Sequence, residues 1–283
     1  MSPADKLLAG LPEGFPANRS SLDTACLIAA RAAALPAGSM LAVNGAQGSG
    51  KSTIAGLAAE ALRRLHGLAP ATLSLDDFYL TKAAREELAR TVHPLCATRG
   101  VPGTHDVPLM MRTFDALAAA SPAHRTPLPV FDKLADDRLP QTQWPLFEGT
   151  PDLILFEGWC VGLRAEDVPA WAGPINPLER ECDPHGEWFG WSLAALGAVY
   201  PAIWDRIGLL VSIEVPDLDT VIDSRLKQEQ GLIGDRPRMD RAQVTRFVEH
   251  YERYTRALWA AMPRRADMLF RREAGFDYAP ISR

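Results

Sequence analysis

A glycine-rich segment carries the residue types best suited to chemistry. In "GAQGSGKS", Gly45, Gly50, Lys51 and Ser52 fit the pattern G-x-x-x-x-G-K-[ST], between a predicted strand and a predicted helix. Glycines let successive backbone N–H groups point inward at phosphate oxygens, and the following helix presents its positive end to the same place. Segment 45–53 therefore predicts a phosphate loop that binds a nucleoside triphosphate, rather than a plain connecting turn.

The residues of this phosphate loop have separate expected roles. Lys51 is expected to reach the β and γ phosphates, and the hydroxyl of Ser52 is expected to bind Mg²⁺. Thr53 faces either the helix or the nucleotide. The predicted nucleotide-binding residues are Gly45, Ala46, Gln47, Gly48, Ser49, Gly50, Lys51, Ser52 and Thr53.

Acidic residues follow two further predicted strands. Asp76 and Asp77 lie where the second strand ends, which we expect to be beside the loop of the first strand, and Glu157 ends the third strand. The carboxyl ends of parallel strands form the edge where ligands bind. Asp76 there is a candidate general base, able to accept a hydroxyl proton during γ-phosphoryl transfer. Glu157 is expected to hold a water of the Mg²⁺ shell or a substrate group. The structural alternatives are helix-cap or turn carboxylates for the aspartates and a buried strand-end carboxylate for Glu157.

A cationic segment late in the chain predicts a lid over the phosphates. Residues 223–241, "DSRLKQEQGLIGDRPRMDR", separate two helical patterns, and the lid is placed at about 222–241. Cations that close over the phosphates would stabilise the transition state and exclude water. Arg225 and Lys227 are the preferred candidates. The cations of the segment are Arg225, Lys227, Arg236, Arg238 and Arg241.

Alternating strands and helices are predicted to position these residues. Five short apolar runs are typical of strands covered on both faces. They are "MLAVNG", "ATLSLDDFYL", "DLILFEGW", "IGLLVSIEV" and "ADMLFRRE". The pattern predicts an α/β protein with the P-loop NTPase fold, a doubly wound, mostly parallel five-stranded sheet flanked by helices. The helix after the phosphate loop is expected to end at Gly67, and the helix after the lid to begin with a capping box of Asp240 and Gln243.

Length and composition favour one globular unit. The chain has 283 residues, 47% hydrophobic and 23% charged, and residues 1–283 are predicted to form a single domain. The segment at about 93–145 is rich in Pro and Gly, so it is predicted to be a substrate-binding insertion. The four cysteines are far apart in the sequence, which argues against a zinc site.

Charge and hydropathy exclude several classes of partner. The 35 acidic and 30 basic residues give a net charge of −5, a poor match for a nucleic-acid backbone. The longest apolar runs are far shorter than the ~20 residues of a membrane span, and the amino end lacks the apolar core of a secretory signal. We therefore expect a cytoplasmic protein without membrane or nucleic-acid partners. The sequence carries no signal for the oligomeric state, and a monomer is favoured.

Eight segments extend these motifs over most of the chain, from about Met40 to Phe270. In order they are "GAQGSGKST", "SLDDFYLT", "RGVPGTHD", "FDK", "LFEGW", "INPLER", "DPHGEW" and "RLKQE". This series resembles the D-glycerate 3-kinase family, which belongs with the uridine kinase, phosphoribulokinase and pantothenate kinase group of P-loop kinases. "RGVPGTHD" is the most discriminating segment, since the phosphate loop is common to the whole group.

The resemblance implies ATP-dependent phosphorylation of a small hydroxylated, anionic metabolite, with ATP and Mg²⁺ bound. D-Glycerate, converted to 3-phosphoglycerate, is the preferred acceptor. Asp76 matches the catalytic aspartate of the related kinases, Glu157 their strand-end glutamate and Arg225 their lid arginine, while Lys51 completes the catalytic set. Basic groups suit a carboxylate, and acidic groups suit hydroxyls. The acceptor-binding candidates are Arg99, His105, Asp106, Asp132, Lys133 and Arg138.

Two departures from the family pattern fall in the acceptor segment. "FDKLADDRLP" is shorter than the corresponding plant segment, and Phe131 stands where a tyrosine is usual. The same chemistry on pantothenate, a nucleoside or another sugar acid is therefore kept as an alternative. A nucleotide-dependent binding or chaperone module, with the phosphate loop as a switch, is the alternative from another class.

Overall fold

A six-stranded sheet forms the centre of the computed structural model, which describes residues 1–12, 14–230 and 238–281. Within these ranges the strands are β1 (Ser39–Gly45), β2 (Pro70–Ser74), β3 (Arg125–Pro127), β4 (Phe131–Asp132), β5 (Asp137–Arg138), β6 (Leu146–Glu148), β7 (Leu153–Gly158), β8 (Ile207–Glu214), β9 (Met268–Arg272) and β10 (Tyr278–Pro280). The central sheet has the order β10-β9-β8-β1-β7-β2, and β3–β6 and β4–β5 form separate antiparallel pairs.

The sheet confirms the predicted α/β class and corrects two details. The five predicted strands are the parallel ones, β1, β2, β7, β8 and β9, but the sheet has a sixth strand, β10, which runs antiparallel to β9. The second predicted strand is not beside the first, because β7 lies between β1 and β2. Glu157 of β7 is level with Val43 on one side and Ser74 on the other. The carboxyl ends of β1, β2 and β7 therefore still meet at one edge.

Helices cover both faces of this sheet. The helices of the described residues are α1 (Pro3–Leu8), α2 (Arg19–Ala32), α3 (Lys51–His66), α4 (Lys82–Thr91), α5 (Val107–Ala118), α6 (Pro177–Cys182), α7 (Glu187–Ala198), α8 (Pro201–Trp204), α9 (Leu218–Gln230), α10 (Arg241–Glu249) and α11 (Glu252–Arg265). None of the helices in these ranges is long and apolar enough to cross a membrane.

The central strand β1 divides the apolar core into two layers. Its residues Leu41 and Val43 pack with α1, α2 and α3, while Met40 and Ala42 pack with α5, α7, α8 and α11. Successive side chains of a strand point to opposite faces, so a strand buried on both faces is apolar at consecutive positions. This is the physical reason why the short apolar runs could be recognised as sheet strands.

Local helix signals fix the elements next to the phosphate loop and the lid. α3 ends at Gly67, whose φ of 66° lies in the left-handed region that favours glycine. α10 begins with Asp240 as N-cap, and Asp240 and Gln243 exchange side-chain to backbone hydrogen bonds. Both predictions are confirmed. Residues 231–237 of the predicted lid, including Arg236, lie outside the described residues.

The segment between β2 and β7 contains regular elements in addition to loops. α5 buries Met110, Phe114 and Leu117 in the core beneath the sheet, so this part of the segment stabilises the fold. The hairpin of β4 and β5 lies outside the sheet and contacts the short helix Leu75–Phe78 that follows β2. The single-domain organisation and the role of 93–145 as a substrate-binding insertion stay predictions.

Candidate active site

The phosphate loop connects β1 to α3 through two left-handed glycines. Gly48 and Gly50 have φ of 75° and 82°, a region that side chains of L-residues rarely adopt. A Cβ at Gly50 would lie 2.0 Å from the hydroxyl oxygen of Tyr278, and one at Gly48 would lie 2.3 Å from Cβ of Ser224. Only glycine fits at both positions. The first N–H groups of α3, which no helical carbonyl accepts, open onto this loop and suit an anion.

Groups from β9 and β10 hold the loop from beneath. Nη1 of Arg272 donates to the carbonyl oxygen of Gly48 at 2.6 Å and to the hydroxyl of Ser224 in α9 at 2.9 Å. The hydroxyl of Tyr278 donates to the carbonyl oxygen of Ser49 at 3.3 Å. The loop is therefore attached both to the edge of the sheet and to the helix that leads into the lid.

Tyr278 is itself held by the helix α2. The hydroxyl of Ser20 donates to the carbonyl oxygen of Tyr278 at 2.8 Å and accepts its backbone N–H at 2.6 Å. The amide nitrogen of Asn18 donates to the carbonyl oxygen of Phe276 at 3.0 Å and to Asp277 at 3.1 Å. We call these contacts of residues 18–20 with 276–278 the α2–β10 clasp.

Ser52 and Glu157 form the predicted metal-binding pair. The hydroxyl of Ser52, in the first turn of α3, donates to Oε1 of Glu157 at 3.0 Å. Oε2 of the buried Glu157 has no hydrogen-bond partner among the described residues. A buried carboxylate oxygen without a donor is costly unless a cation or donor occupies its surroundings. A hydroxyl and a carboxylate beside a phosphate loop are the hard oxygen ligands that a divalent cation bound to phosphates takes, so this donor set fits such a metal.

Asp76 lies at the end of β2, in the short helix Leu75–Phe78, and its carboxylate faces the phosphate loop. Its Oδ1 accepts a hydrogen bond from the hydroxyl of Tyr79 at 2.9 Å, and its Oδ2 pairs with the ammonium of Lys133 at 2.6 Å. Burial opposes ionisation, but the charges of Lys133 and Lys51 outweigh it and lower the pKa of Asp76 to about 2. The carboxylate is therefore ionised at neutral pH and lies within the field of the phosphate-loop lysine.

The neighbouring Asp77 has a different environment. Its Oδ1 accepts the backbone N–H of Phe131 at 3.1 Å, which attaches the hairpin of β4 and β5 to the end of β2. Burial raises the pKa of Asp77 to about 6. The hydrogen bond from Phe131 lowers this pKa, and the negative charge of Asp76 raises it further. Asp77 thus positions the hairpin, while Asp76 faces the phosphate loop.

The raised pKa of Asp77 predicts a pH-dependent stability. Between about pH 4 and pH 6 the unfolded chain releases this proton before the folded chain does, so stability falls as pH rises through that interval. Asp77→Asn keeps an acceptor for Phe131 and removes the charge. Ionisation of this half-buried carboxyl is expected to cost the folded state roughly 1 kcal/mol at pH 8. The variant removes that cost, so we expect its melting temperature to rise by about 2–4 °C at pH 8 and to change little near pH 4. Melting curves that run parallel to those of the wild type from pH 4 to pH 8 would contradict the assignment.

Two acceptor candidates, Asp106 and Arg138, pair with each other. Asp106 caps α5 by accepting the N–H of Leu109 at 2.9 Å, and its Oδ2 accepts Nη1 of Arg138 at 3.0 Å. Nη2 of Arg138 donates to the carbonyl oxygen of Tyr79 at 2.7 Å, and its buried Nε has no partner among the described residues. Most of their hydrogen-bonding capacity therefore holds the insertion in place.

Two other candidates are engaged within the hairpin. Oδ1 of Asp132 accepts the N–H groups of Leu134 and Ala135, which closes the turn between β4 and β5. Arg99 pairs with Asp136 and lies over the ring of Phe131 at 5.3 Å. The structure thus uses Asp132 as a turn residue and does not bring it into contact with Asp76, whereas Lys133, the next residue, contacts Asp76 directly.

His105 is buried behind Asp76. Its ring stacks on Tyr79 with centroids 4.8 Å apart, and its Nδ1 lies 2.7 Å from the hydroxyl of Tyr200. That hydroxyl already accepts the N–H of Gly103 at 2.9 Å, so we assign its own proton to Nδ1, which leaves the ring proton of His105 on Nε2. Burial lowers the pKa of His105 to about 3, so the ring is neutral, and its Nε2 has no partner among the described residues.

The segment "RGVPGTHD" is held by donors from several elements. The hydroxyl of Tyr251 donates to the carbonyl oxygen of Arg99 at 2.8 Å, and Nε1 of Trp159 donates to that of Gly100 at 3.1 Å. A Cβ at Gly100, where φ is 141°, would lie 2.3 Å from the ring of Tyr251. The segment is therefore fitted to β7 and to the start of α11, which explains why its sequence is so specific.

The described lid residues lie beside the phosphate loop. Ser224 of α9 touches Gly48, and the next residue, Arg225, pairs with Glu229 and lies over the ring of Phe247 at 5.2 Å. Arg241 pairs with Asp223 at 2.5 Å. Burial raises the pKa of Tyr251, and the charges of Arg99 and Arg225 oppose that rise. Arg225 and the acceptor segment are therefore close enough to act on one group, whereas Lys227 is exposed on α9.

Sequence reasoning missed several residues that build this site. Tyr79 and Arg85 lie in the segment after β2, and Arg272 and Tyr278 lie at the far end of the chain. Tyr79 had a readable signal, because a side chain three residues after Asp76 in a helical turn lies on the same side. Arg85, Arg272 and Tyr278 act through contacts with residues distant in sequence, and no local pattern marks them.

The fold has similar solved structures. The D-glycerate 3-kinase of Cryptococcus neoformans var. grubii superposes with a TM-score of 0.69 and 24% identity, covering 92% of this chain and 97% of the fungal chain. At this identity the likeness concerns the fold. Together with the phosphate loop at the sheet edge, it assigns the chain to the fold of the P-loop kinases.

Curated relatives define the family within this class. An uncharacterized kinase of Schizosaccharomyces pombe is 33% identical over 226 residues, 75% of this chain and 78% of the yeast protein. The chloroplastic D-glycerate 3-kinase of Arabidopsis thaliana is 32% identical over 235 residues, 78% of this chain and 48% of the plant protein, so the match spans about half the length of the plant enzyme. No protein-family model matches the chain. The chain belongs to the D-glycerate 3-kinase family, as the sequence segments predict.

Proposed function

We propose that this P-loop kinase transfers the γ-phosphoryl group of ATP to the 3-hydroxyl of D-glycerate, giving 3-phosphoglycerate and ADP. The observation that carries the proposal is the placement of Asp76, whose carboxylate lies within the field of Lys51 and contacts Lys133 of the insertion. A proton acceptor between the phosphate loop and a cation is suited to a hydroxylated anion. The names of the plant and fungal relatives support glycerate as that anion.

The nucleotide side of the reaction depends on the phosphate loop and α3. Backbone N–H groups at the start of α3 bind the phosphates of ATP, and Lys51 neutralises the charge that develops on the transferred group. We propose Mg²⁺ as the divalent metal, with Ser52 and Glu157 as the residues that hold it. When bound, the metal neutralises phosphate charge in the transition state. The buried Arg272 keeps the loop in its phosphate-binding conformation through Gly48.

On the acceptor side, Asp76 takes the proton of the substrate hydroxyl. The hydroxyl oxygen forms a bond to the γ-phosphorus, the bond between that phosphorus and the oxygen bridging it to the β-phosphate breaks, and ADP leaves with the electron pair. The proton ends on a carboxylate oxygen of Asp76. Lys133 and Arg99 provide the cations for the substrate carboxylate. The buried ring of His105 supports this side of the site by stacking on Tyr79, which donates to Asp76. Arg225 and the residues around it are proposed to close over the phosphates.

An acceptor panel tests this proposal. ADP formation is measured with ATP and Mg²⁺ for D-glycerate, L-glycerate, glycerol, pantothenate, nucleosides and other sugar acids, with a chelator control, and the product from D-glycerate is identified by its phosphorus NMR spectrum. D-Glycerate should raise ADP formation well above the rate without acceptor. A stronger response to pantothenate or a nucleoside would replace glycerate by that acceptor, and no response to any acceptor would favour the nucleotide-switch alternative. The absence of nucleic-acid partners, the cytoplasmic location and the monomeric state stay predictions.

A further inference from the structure

Each oxygen of the Asp76 carboxylate already contacts one donor. The hydroxyl of Tyr79 donates to Oδ1 at 2.9 Å, and the ammonium of Lys133 contacts Oδ2 at 2.6 Å. A carboxylate that accepts a proton from a substrate hydroxyl must first present an oxygen to it. The Tyr79 contact is within the buried part of the site, since this tyrosine is 4% exposed. The Lys133 contact is the one that can be exchanged.

The backbone around Lys133 is held in place, whereas its side chain is free to move. Its neighbours are held by backbone contacts, because Phe131 donates to Asp77 and Asp132 closes the turn. The side chain of Lys133 itself is 60% exposed. An exposed ion pair of this kind gains little net free energy, so a second anion can compete for the ammonium. The flexible four-carbon stem lets the ammonium move without moving the hairpin.

We propose that Lys133 is a gate that makes phosphoryl transfer depend on the charge of the acceptor. Its ammonium covers Oδ2 of Asp76 until an anionic group of the bound acceptor draws it away. This inference rests on the proposed function, and it deepens that function by stating why the acceptor must be a carboxylate.

The gate controls only whether the acceptor hydroxyl can reach Asp76 to give up its proton. The bonds that form and break at phosphorus are the same. With an anionic acceptor, the ammonium of Lys133 pairs with the substrate carboxylate, and the substrate hydroxyl donates its proton to the uncovered Oδ2 as its oxygen bonds to the γ-phosphorus. With water or a neutral alcohol, the acceptor brings no anion to compete for Lys133, so Oδ2 stays covered. Water then lacks a proton acceptor, and futile hydrolysis of ATP is suppressed.

Lys133→Met tests the gate, because methionine keeps an unbranched stem and removes the ammonium. Three rates are compared with those of the wild type: ATP hydrolysis without acceptor, phosphorylation of glycerol, and phosphorylation of D-glycerate. We expect hydrolysis and the kcat/KM for glycerol to rise about tenfold or more, while kcat/KM for D-glycerate falls about tenfold, mainly through KM. If hydrolysis and glycerol phosphorylation stay at the wild-type level or fall, Lys133 only anchors the carboxylate and the gate is refuted.

Two further variants keep the result interpretable. Lys133→Arg retains a cation, so its rate of hydrolysis without acceptor should rise clearly less than that of Lys133→Met; an equal rise in the two variants would refute the gate. Lys6→Met, at an exposed lysine of α1, is the matched control for the loss of an ammonium. If the wild type does not phosphorylate D-glycerate, the proposed function fails, whereas the hydrolysis rates of the same variants still decide whether Lys133 restrains Asp76.

Discussion

Asp76→Asn is expected to reduce turnover by about 10²–10⁴-fold while leaving the affinity for ATP within about threefold. Asparagine has the same shape and can still accept the hydroxyl of Tyr79, so the end of β2 should keep its conformation. It cannot take the hydroxyl proton, which must then pass to water or to phosphate. A coupled assay of ADP formation gives turnover, and titration with a fluorescent ATP analogue gives the affinity.

The control for this variant is Asp115→Asn. Asp115 is an exposed aspartate of α5 that pairs with Arg206 at the surface, so its loss should leave turnover within about twofold. Turnover of Asp76→Asn within tenfold of the wild type would show that another group accepts the proton. The nucleotide-switch alternative makes the opposite prediction, because slow hydrolysis without an acceptor has no need of this carboxylate.

Arg85→Met is expected to lower the free energy of unfolding by about 2–4 kcal/mol, because it removes a buried charged donor from several hydrogen bonds. The guanidinium of Arg85 is 1% exposed and donates to the carbonyl oxygens of Leu80, Ala97 and Asp136 at 3.2, 2.6 and 2.6 Å. It also pairs with the carboxylate of Asp136 at 3.0 Å. Methionine would fill the space but would leave the partly buried carbonyls of Leu80, Ala97 and Asp136 without this donor, and the carboxylate of Asp136 would keep only Arg99 among the described residues. Urea unfolding followed by circular dichroism measures the loss.

The matched control lies in the same helix. Arg90 pairs with Glu87 and its side chain is 73% exposed, so Arg90→Met should change the stability by less than about 0.5 kcal/mol. Equal stabilities for the two variants would contradict the role given to Arg85. Since Arg85 joins Leu80, in the segment after β2, to the hairpin that carries Lys133, a folded Arg85→Met should also raise KM for the acceptor more than KM for ATP.

The sequence predicted the parts of this structure that depend on near neighbours. The phosphate loop, the end of α3 at Gly67 and the capping box of α10 each follow from residues within a few positions of one another. The five parallel strands were recognisable because each is buried on both faces. The position of β7 between β1 and β2 was not recognisable from the sequence. Strand order depends on how the connections between strands cross the sheet, and no local sequence pattern encodes it. β10 has only three residues and includes a proline, so it carries no strand signal.

In the acceptor segment, the sequence could not predict which side chains pair with one another. The sequence marked Asp106, Asp132, Lys133 and Arg138 as acceptor-binding candidates. The structure separates them, because Asp106 and Arg138 pair across 32 residues, Asp132 closes a turn, and Lys133 reaches Asp76 across 57 residues. Such partners are chosen by tertiary contacts, which residue type alone does not specify.

The α2–β10 clasp has a consequence for how the protein can be modified. Tyr278 supports the backbone of the phosphate loop, and Ser20 fixes Tyr278 from the opposite end of the sequence. Residues 18–20 and 276–278, which supply no predicted ligand for ATP, thus support the nucleotide site. An affinity tag, a fluorophore or a deletion within either stretch would disturb the phosphate loop through these contacts. Labels for single-molecule or immobilisation experiments should therefore be attached elsewhere, for example on the exposed side of α4.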